Sequence, residues 1–332
     1  MKLVTYIDDA GTERIGALFD GETKVADLAA AAEAVSPGSA HPFATMLTLI
    51  DGGESALAQA VKILQSVAAG KLPNAAVDLD EIQQRSPVPV PRQIRACIAF
   101  EDHLLNAHKV RYRRLADAAP DPEAAWNKFV EEGAIALNSV WYERALYYMT
   151  NRFSVIGPDE DIRCPKHSGR IDYELEFGIF IGKEGRDIGL DQAKDHIFGY
   201  SIFNDISARE IQHQEMPGGV GPHKGKNFDT GNVIGPWIVT PDEIPDIAAS
   251  WMVARVNGTE FSRGKCGDMY HDFSAIIADI SRDETLYPGE FIASGTVGTG
   301  SGLEYDRYLA DGDIIELEID GLGILRNKFV AA

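Results

Sequence analysis

From residue 150 onward the chain breaks into short strand-like runs: SVIGP, DYELEFGIFIG, IFGYSIFND, GPWIVTP, WMVARVNGTEF, DIIELEIDG and LGILRNKFV. Gly and Pro signals separate them and few long helical patterns intervene, which argues for a mixed β sandwich or barrel over an alternating βαβ sheet. The earlier part reads differently. KLVTYID and RIGALFDG are strand candidates across the polar turn DDAGTE, followed by an alanine-rich helix around VADLAAAAEAV. A second helical pattern, ESALAQAVKILQSVAAG, puts Leu57, Val61, Ile63, Leu64 and Val67 near helical spacing. SPVPVPRQ, residues 86–93, is a proline-rich extended connector. The expected organisation is a small N-terminal α/β domain over 1–85, the linker, and a mixed α+β, predominantly β domain over 94–332. At its start IRACIAF reads as a short buried strand, EDHLLNAHKVRYRRLADAA as a helix, and PEAAWNKFVEEGA as a second helix.

Bulk numbers narrow the function. A length of 332 residues with 45% hydrophobic content fits a globular protein. The excess of 51 acidic over 31 basic residues gives a net charge of -20, which repels phosphate backbones, so no nucleic-acid partner is expected. Cys97, Cys164 and Cys266 are widely separated, without the close pairing of zinc or redox motifs, and suit a reducing compartment. MKLVTYIDDAGTERIG lacks the apolar core of a signal peptide, and no window reaches the roughly 20 apolar residues of a membrane span. A cytoplasmic location without a membrane partner is the expectation.

The chemistry-bearing stretch is DYELEFGIFIG. In a strand Glu174 and Glu176 share a face about 7 Å apart at Cα, close enough for both carboxylates to converge on one ion. The competing reading is a solvent-facing strand with its charges in water. Asp172 shares that face by simple alternation and has no evident task. Asp205, in FGYSIFNDISAREIQ, taken alone reads as an N-cap for the helix ISAREIQ; taken with the two glutamates it completes an oxygen set for a hard cation. In GPHKGKNFDTGNVIGPW, Lys224 and Lys226 lie among glycines, where a lysine can neutralise an oxyanion or carboxylate. SGTVGTGSGLE lacks the GxGxxG spacing of a dinucleotide site, although its amides and hydroxyls, Thr296 included, suit a small carboxylate. FEDHLLNAH sets Glu101 and His103 just after a buried strand, with His108 further on, as acid-base candidates.

Taken in order, DYELEFGIFIG, GYSIFNDISAREIQ, GPHKGKNFDT, GPWIVTPDE, WMVARVNG, LYPGE and SGTVGTGSGLE resemble the fumarylacetoacetate hydrolase family over roughly residues 90–330. The resemblance implies a mixed β-sandwich-roll catalytic domain, usually in a homodimer, with a smaller N-terminal domain. It also implies that Glu174, Glu176 and Asp205 bind magnesium, or manganese or calcium in its place. Lys226 and Gln212 would stabilise an oxyanion, Thr296 would bind a substrate carboxylate, and Tyr148, Arg209 and His108 would complete the substrate-binding set. Short family members pair a lid histidine with a glutamate three residues later. Here His103 matches the histidine but Asn106 stands at the later position, so the partner would be Glu101 or Glu304, with His108 as rival base.

The function so implied is metal-dependent hydrolysis of a carbon-carbon bond in a 1,3-diketone acid of the acylpyruvate, fumarylacetoacetate or fumarylpyruvate type, in catabolism. The alternatives are a 2-oxo acid decarboxylase or tautomerase using the same site, and a non-catalytic binder of small acids. Substrate-covering loops are expected around 104–150 and 213–223.

Overall fold

In the computed structural model, which describes residues 1–37 and 42–331, the most apolar strands stand in the middle of a twelve-stranded sheet. Its main path runs through Lys2–Ile7, Asn232–Val239, Ile197–Asp205, Leu175–Ile181, Phe291–Ala293, Ile94–Cys97 and Tyr147–Met149. Leu175–Ile181 and Asn232–Val239 are buried along their whole length. A strand without polar alternation needs a cover on both faces, and both are supplied. Phe177, Ile179, Ile202 and Val233 face a core shared with a five-stranded sheet built on Trp251–Val256, Thr259–Lys265, Ile314–Ile319 and Gly323–Val330. Phe180, Phe203 and Ile234 face a second core, packed with Leu28, Leu49, Ile50 and Ile63 from the N-terminal helices. The mixed, mostly β architecture is the one expected.

The N-terminal residues extend this same sheet: Lys2–Ile7 pairs antiparallel with Asn232–Val239, placing Leu3 opposite Ile238. The division at 86–93 is therefore proposed as a boundary along the chain, not as a break in the core. The helix Gly53–Ala68 turns most of the stripe read from its sequence to the core, Ile63 and Val67 fully and Leu57 and Leu64 in part, and departs from it at Val61. Its buried stripe is Ala56, Ala60, Ile63 and Val67, and Val61 is exposed. Small alanines, Ala56 and Ala60, fill the centre of that face and let the helix approach the sheet closely.

DYELEFGIFIG is not one continuous strand. Ile171–Asp172 pairs with Ser207–Ala208, Glu174 makes a single bridge to Ser301, and regular pairing begins at Leu175. The interruption has a cross-strand cause: the Glu174 amide donates to the Asn204 side chain at 3.0 Å instead of to a ladder carbonyl. The solvent-facing reading is overturned as well, because every residue from Ile171 to Ile181 is buried between neighbouring strands.

Phe203 packs edge-on against Phe291, ring centroids 5.6 Å apart, in the core shared with the N-terminal helices. Phe203→Ala is expected to cost about 3–5 kcal/mol. Denaturant titration checks this as a lowered midpoint at unchanged slope.

Candidate functional site

Register decides which carboxylates meet. Glu176 lies opposite Phe203, and opposed residues share a face of the sheet, as do residues two apart. Glu176, Phe203 and Asp205 therefore point the same way. Glu174 joins them, and carboxylate oxygens of Glu174, Glu176 and Asp205 all lie within 4.8 Å of one another, fully buried. Asp205 is the last residue of its strand and not a helix cap. The helix Arg209–Glu215 starts from Ala208 without a side-chain cap, because the short strand Ser207–Ala208 separates Asp205 from it.

Lys226 enters from the Gly-rich loop and is only 1% exposed. Its Nζ donates to Glu174 Oε2 at 2.6 Å and to the Asp205 backbone carbonyl at 3.2 Å, and lies 2.9 Å from Asp205 Oδ2. Lys224 is exposed and takes no part. The loop needs Gly225, since a Cβ there would lie 2.7 Å from the Gln212 backbone nitrogen. Arg209, also buried, forks onto Asp172 and reaches Glu174 Oε1 at 2.8 Å. Its Nη1 donates to Gln212 Oε1 at 2.9 Å, which leaves the Gln212 amide nitrogen as the donor on offer. Glu176 is held by the Gly295 amide at 3.0 Å and the Thr296 hydroxyl at 3.2 Å, and the Tyr148 hydroxyl donates to Asp205.

Burial and charge set the protonation pattern. Burial opposes ionisation of Glu174, but Lys226 and Arg209 outweigh it and hold the carboxyl at about 2. Burial, with the Asp205 and Glu174 charges added, pushes Glu176 well above the usual carboxylate range. Asp205 is raised by burial against the pull of Lys226. Burial acts against the Lys226 charge, yet Asp205 and Glu174 raise it overall. The cluster thus has more carboxylate than its two cations neutralise, and Asp205 Oδ1 is buried without a hydrogen-bond partner. A set of converging oxygens, one of them unsatisfied, suits a hard divalent cation.

His103 stands beside this cluster, its Nε2 3.9 Å from Glu174 Oε1. Its Nδ1 bonds Glu304 Oε1 at 2.8 Å. Glu304 also accepts from Asn106 Nδ2 and the Thr299 amide, both at 2.8 Å. A carboxylate on Nδ1 fixes the proton there and frees Nε2 as an acceptor facing the acidic cluster. Glu101 is corrected as a partner: at about 100° per residue it sits some 200° around the helix from His103, and it accepts from the Tyr142 hydroxyl. His108 is turned away too, with Nδ1 3.1 Å from the Ile135 carbonyl and its ring edge-on to Tyr112.

Two expected loops contain ordered elements, the helices Glu101–Asp117, Pro122–Glu131 and Ser139–Glu143 in the first and the end of Arg209–Glu215 in the second. Asn106, Thr299, Asn204 and Asp172 make contacts that sequence reasoning did not assign. Two of them carried a signal: Asn106, three residues after His103 and so on the same helical face, and Asp172, by alternation with Glu174. Among the described residues no helix is long and apolar enough to cross a membrane.

A roll of two stacked sheets with three buried carboxylates, a buried lysine and a histidine–glutamate pair at one strand end defines the class. Residues 124–330, more than half of the chain, match the family description "Fumarylacetoacetate (FAA) hydrolase C-terminal", and the chain belongs to the fumarylacetoacetate hydrolase family. It is 36% identical over 200 residues to the 2,4-didehydro-3-deoxy-L-rhamnonate hydrolase of Sphingomonas sp. (strain SKA58), covering 60% of this chain and 69% of that enzyme. Curated relatives from Burkholderia species are matched over 60% of their own length. Among solved structures, the fumarylacetoacetate hydrolase of Exiguobacterium antarcticum superposes with a TM-score of 0.71 at 26% identity, covering 100% of both chains. The maleylpyruvate hydrolase of Sphingobium sp. SYK-6, in complex with manganese(II) and pyruvate, gives 0.68 at 24% identity, again over 100% of both.

The His103 geometry has a direct readout. Nitrogen NMR of the neutral ring is expected to show the Nδ1-protonated tautomer in the unmodified protein and a mixture in Glu304→Gln. An Nε2-protonated ring in the unmodified protein would contradict the contact.

Proposed function

We propose that the chain is a metal-dependent hydrolase that cleaves the carbon-carbon bond of a 2,4-dioxo acid, of the acylpyruvate or fumarylpyruvate type. The observation that carries the reading is the His103–Glu304 pair beside the buried carboxylate cluster. Hydrolysis needs a base for water as well as a site for an oxo acid, whereas a decarboxylase needs only the second; a tautomerase would use the same base to move a proton on the substrate and would add no water. The name of the Sphingomonas relative supports the substrate class, since it describes an acid oxidised at carbons 2 and 4 around a deoxy carbon 3.

In this reading Glu174, Glu176 and Asp205 hold magnesium, with manganese or calcium as substitutes. Bound there, the cation supplies a Lewis acid that polarises the 2-oxo acid. His103 Nε2 takes a proton from water while Glu304 holds the ring and offsets its new charge. The water oxygen bonds to carbon 4, and the carbonyl oxygen takes up negative charge. The Gln212 amide donates to that oxygen. Lys226, whose bonds go to Glu174 and Asp205, contributes its positive charge nearby. When the carbonyl reforms, the bond between carbons 3 and 4 breaks, its electron pair stays on carbon 3, and His103 returns the proton there. The products are a carboxylic acid and a 2-oxo acid. Thr296, Tyr148 and Arg209 act through the carboxylates they touch. A cytoplasmic homodimer acting on small acids completes the proposal.

A screen of acylpyruvates and oxaloacetate against metal-free and magnesium-loaded protein tests it. The expected result is metal-dependent turnover of an acylpyruvate, lowered about 100- to 10,000-fold in His103→Ala. Activity on oxaloacetate alone would move the assignment to a decarboxylase. Separately, Asp205→Asn is expected to weaken manganese binding on the order of 100-fold by calorimetry.

A further inference from the structure

Asp172 is the one acidic residue of DYELEF that the proposed reaction leaves without a task, and it is fully buried. Its Oδ2 accepts from Arg209 Nε at 2.8 Å, from Nη2 at 2.6 Å and from the Leu303 amide at 2.9 Å. Its Oδ1 accepts from the Gly302 amide at 2.8 Å. Those two amides open the turn Gly302–Tyr305, and the next residue is Glu304. The fit is tight: a Cβ on Gly302 would come within 2.6 Å of Asp172 Oδ1 and 1.9 Å of the Arg307 carbonyl. Arg209 fixes the carboxylate from the other side while touching Glu174 at 2.8 Å. One buried carboxylate therefore joins the strand end that carries Glu174 to the turn that carries Glu304.

We propose that Asp172 is a positioning residue that holds the Gly302–Tyr305 turn so that Glu304 meets His103. It acts through Glu304 and touches no substrate. The two interactions involved are of a kind that only an ionised carboxylate combines: a guanidinium fork and two amide donors on one group. Asparagine would put an NH2 where one oxygen now accepts, so either the fork or an amide bond must be lost. A turn as short as this one has no other internal hold on the two amides, because the Gly302 and Leu303 nitrogens both point at Asp172. Releasing them leaves the start of the turn to the Arg307 amide on the Gly302 carbonyl at 2.9 Å, which loosens Glu304 and weakens the contact that fixes the His103 tautomer.

The catalytic part of this inference rests on the hydrolase reading; the structural part does not. Amide hydrogen exchange on the unmodified protein, without substrate or metal, comes first. Gly302 and Leu303 are expected to exchange as slowly as the amides of Leu175–Ile181; exchange at the rate of exposed turns would overturn the proposal, whether or not any variant folds. In Asp172→Asn the Gly302 amide, whose acceptor becomes an NH2 when the oxygen stays with Arg209, is expected to exchange at least about tenfold faster while the strand amides stay unchanged. The second test is a double-mutant cycle in turnover. Asp172→Asn is expected to lower kcat about 10- to 100-fold with KM within about threefold, and Asp172→Asn with Glu304→Gln to fall within about threefold of Glu304→Gln alone. Losses that multiply, or an Asp172→Asn enzyme with kcat within about twofold of normal, would overturn it. If the unmodified protein turns over no dioxo acid, the hydrolase reading fails, and amide exchange still decides whether Asp172 holds the turn.

Discussion

Burying negative charge is the constraint around which the rest of this molecule is arranged. Glu174, Glu176, Asp205 and Asp172 are all removed from water, and an isolated carboxylate in that setting costs several kcal/mol. Each is met by a different device. Arg209 and Lys226, the latter reaching the strand ends from a glycine-rich loop, supply charge. Backbone amides at Gly295, Gly302 and Leu303 and the hydroxyls of Tyr148 and Thr296 supply hydrogen bonds. Asp205 Oδ1 alone stays unmet, and the cluster keeps more acid than its own cations cancel. A pocket so built has a standing preference for a positive guest.

The large sheet makes such a cluster rigid. Its central strands are covered on both faces, by the five-stranded sheet on one side and the N-terminal helices on the other. Glu176 and Phe180 share a face of one strand, and Phe203 and Asp205 share that face on its neighbour. The same side of the sheet is thus apolar where the helices lie and acidic where the strands end. Two opposite chemistries meet within one strand length, and the apolar half holds the acidic half in register.

Much of this could be read from the amino-acid order because strand alternation and the spacing of Glu174 and Glu176 are local properties. The strand-rich second half, the helix over Glu101–Asp117 and the meeting of three carboxylates follow from such patterns together with the family resemblance. What escaped was set by tertiary contact. Glu304 lies 201 residues from His103, so only packing could choose it over Glu101, two residues away but on another side of the helix. Asp205 read alone resembles a cap, and only the assembled strand end removes that alternative, because a two-residue strand intervenes before the helix, too short to leave a pattern. The break at Glu174 depends on an Asn204 side chain thirty residues on. Asp172 was visible in the alternation, but its partners, Arg209 and two amides past residue 300, were not.

The replacement of a helical glutamate by Asn106 changes how the proposed base is assembled. A partner three residues along the same helix would stay with the histidine wherever that helix moved. Here the carboxylate belongs to the turn, and the helix meets the turn region at three places: His103 and Asn106 on Glu304, and Arg114 on Tyr308 at 2.6 Å and on Asp306. The intervals of three and eight residues keep these side chains on one stripe, since eleven residues make close to three turns. The base is therefore complete only while that stripe is docked. Its contacts differ in depth: the Arg114–Asp306 pair is exposed and worth little, whereas the His103–Glu304 contact is nearly dry. Holding the turn in place then matters more than holding the helix, because a helix that leaves can return to a preformed carboxylate, but a displaced carboxylate gives it nothing to return to.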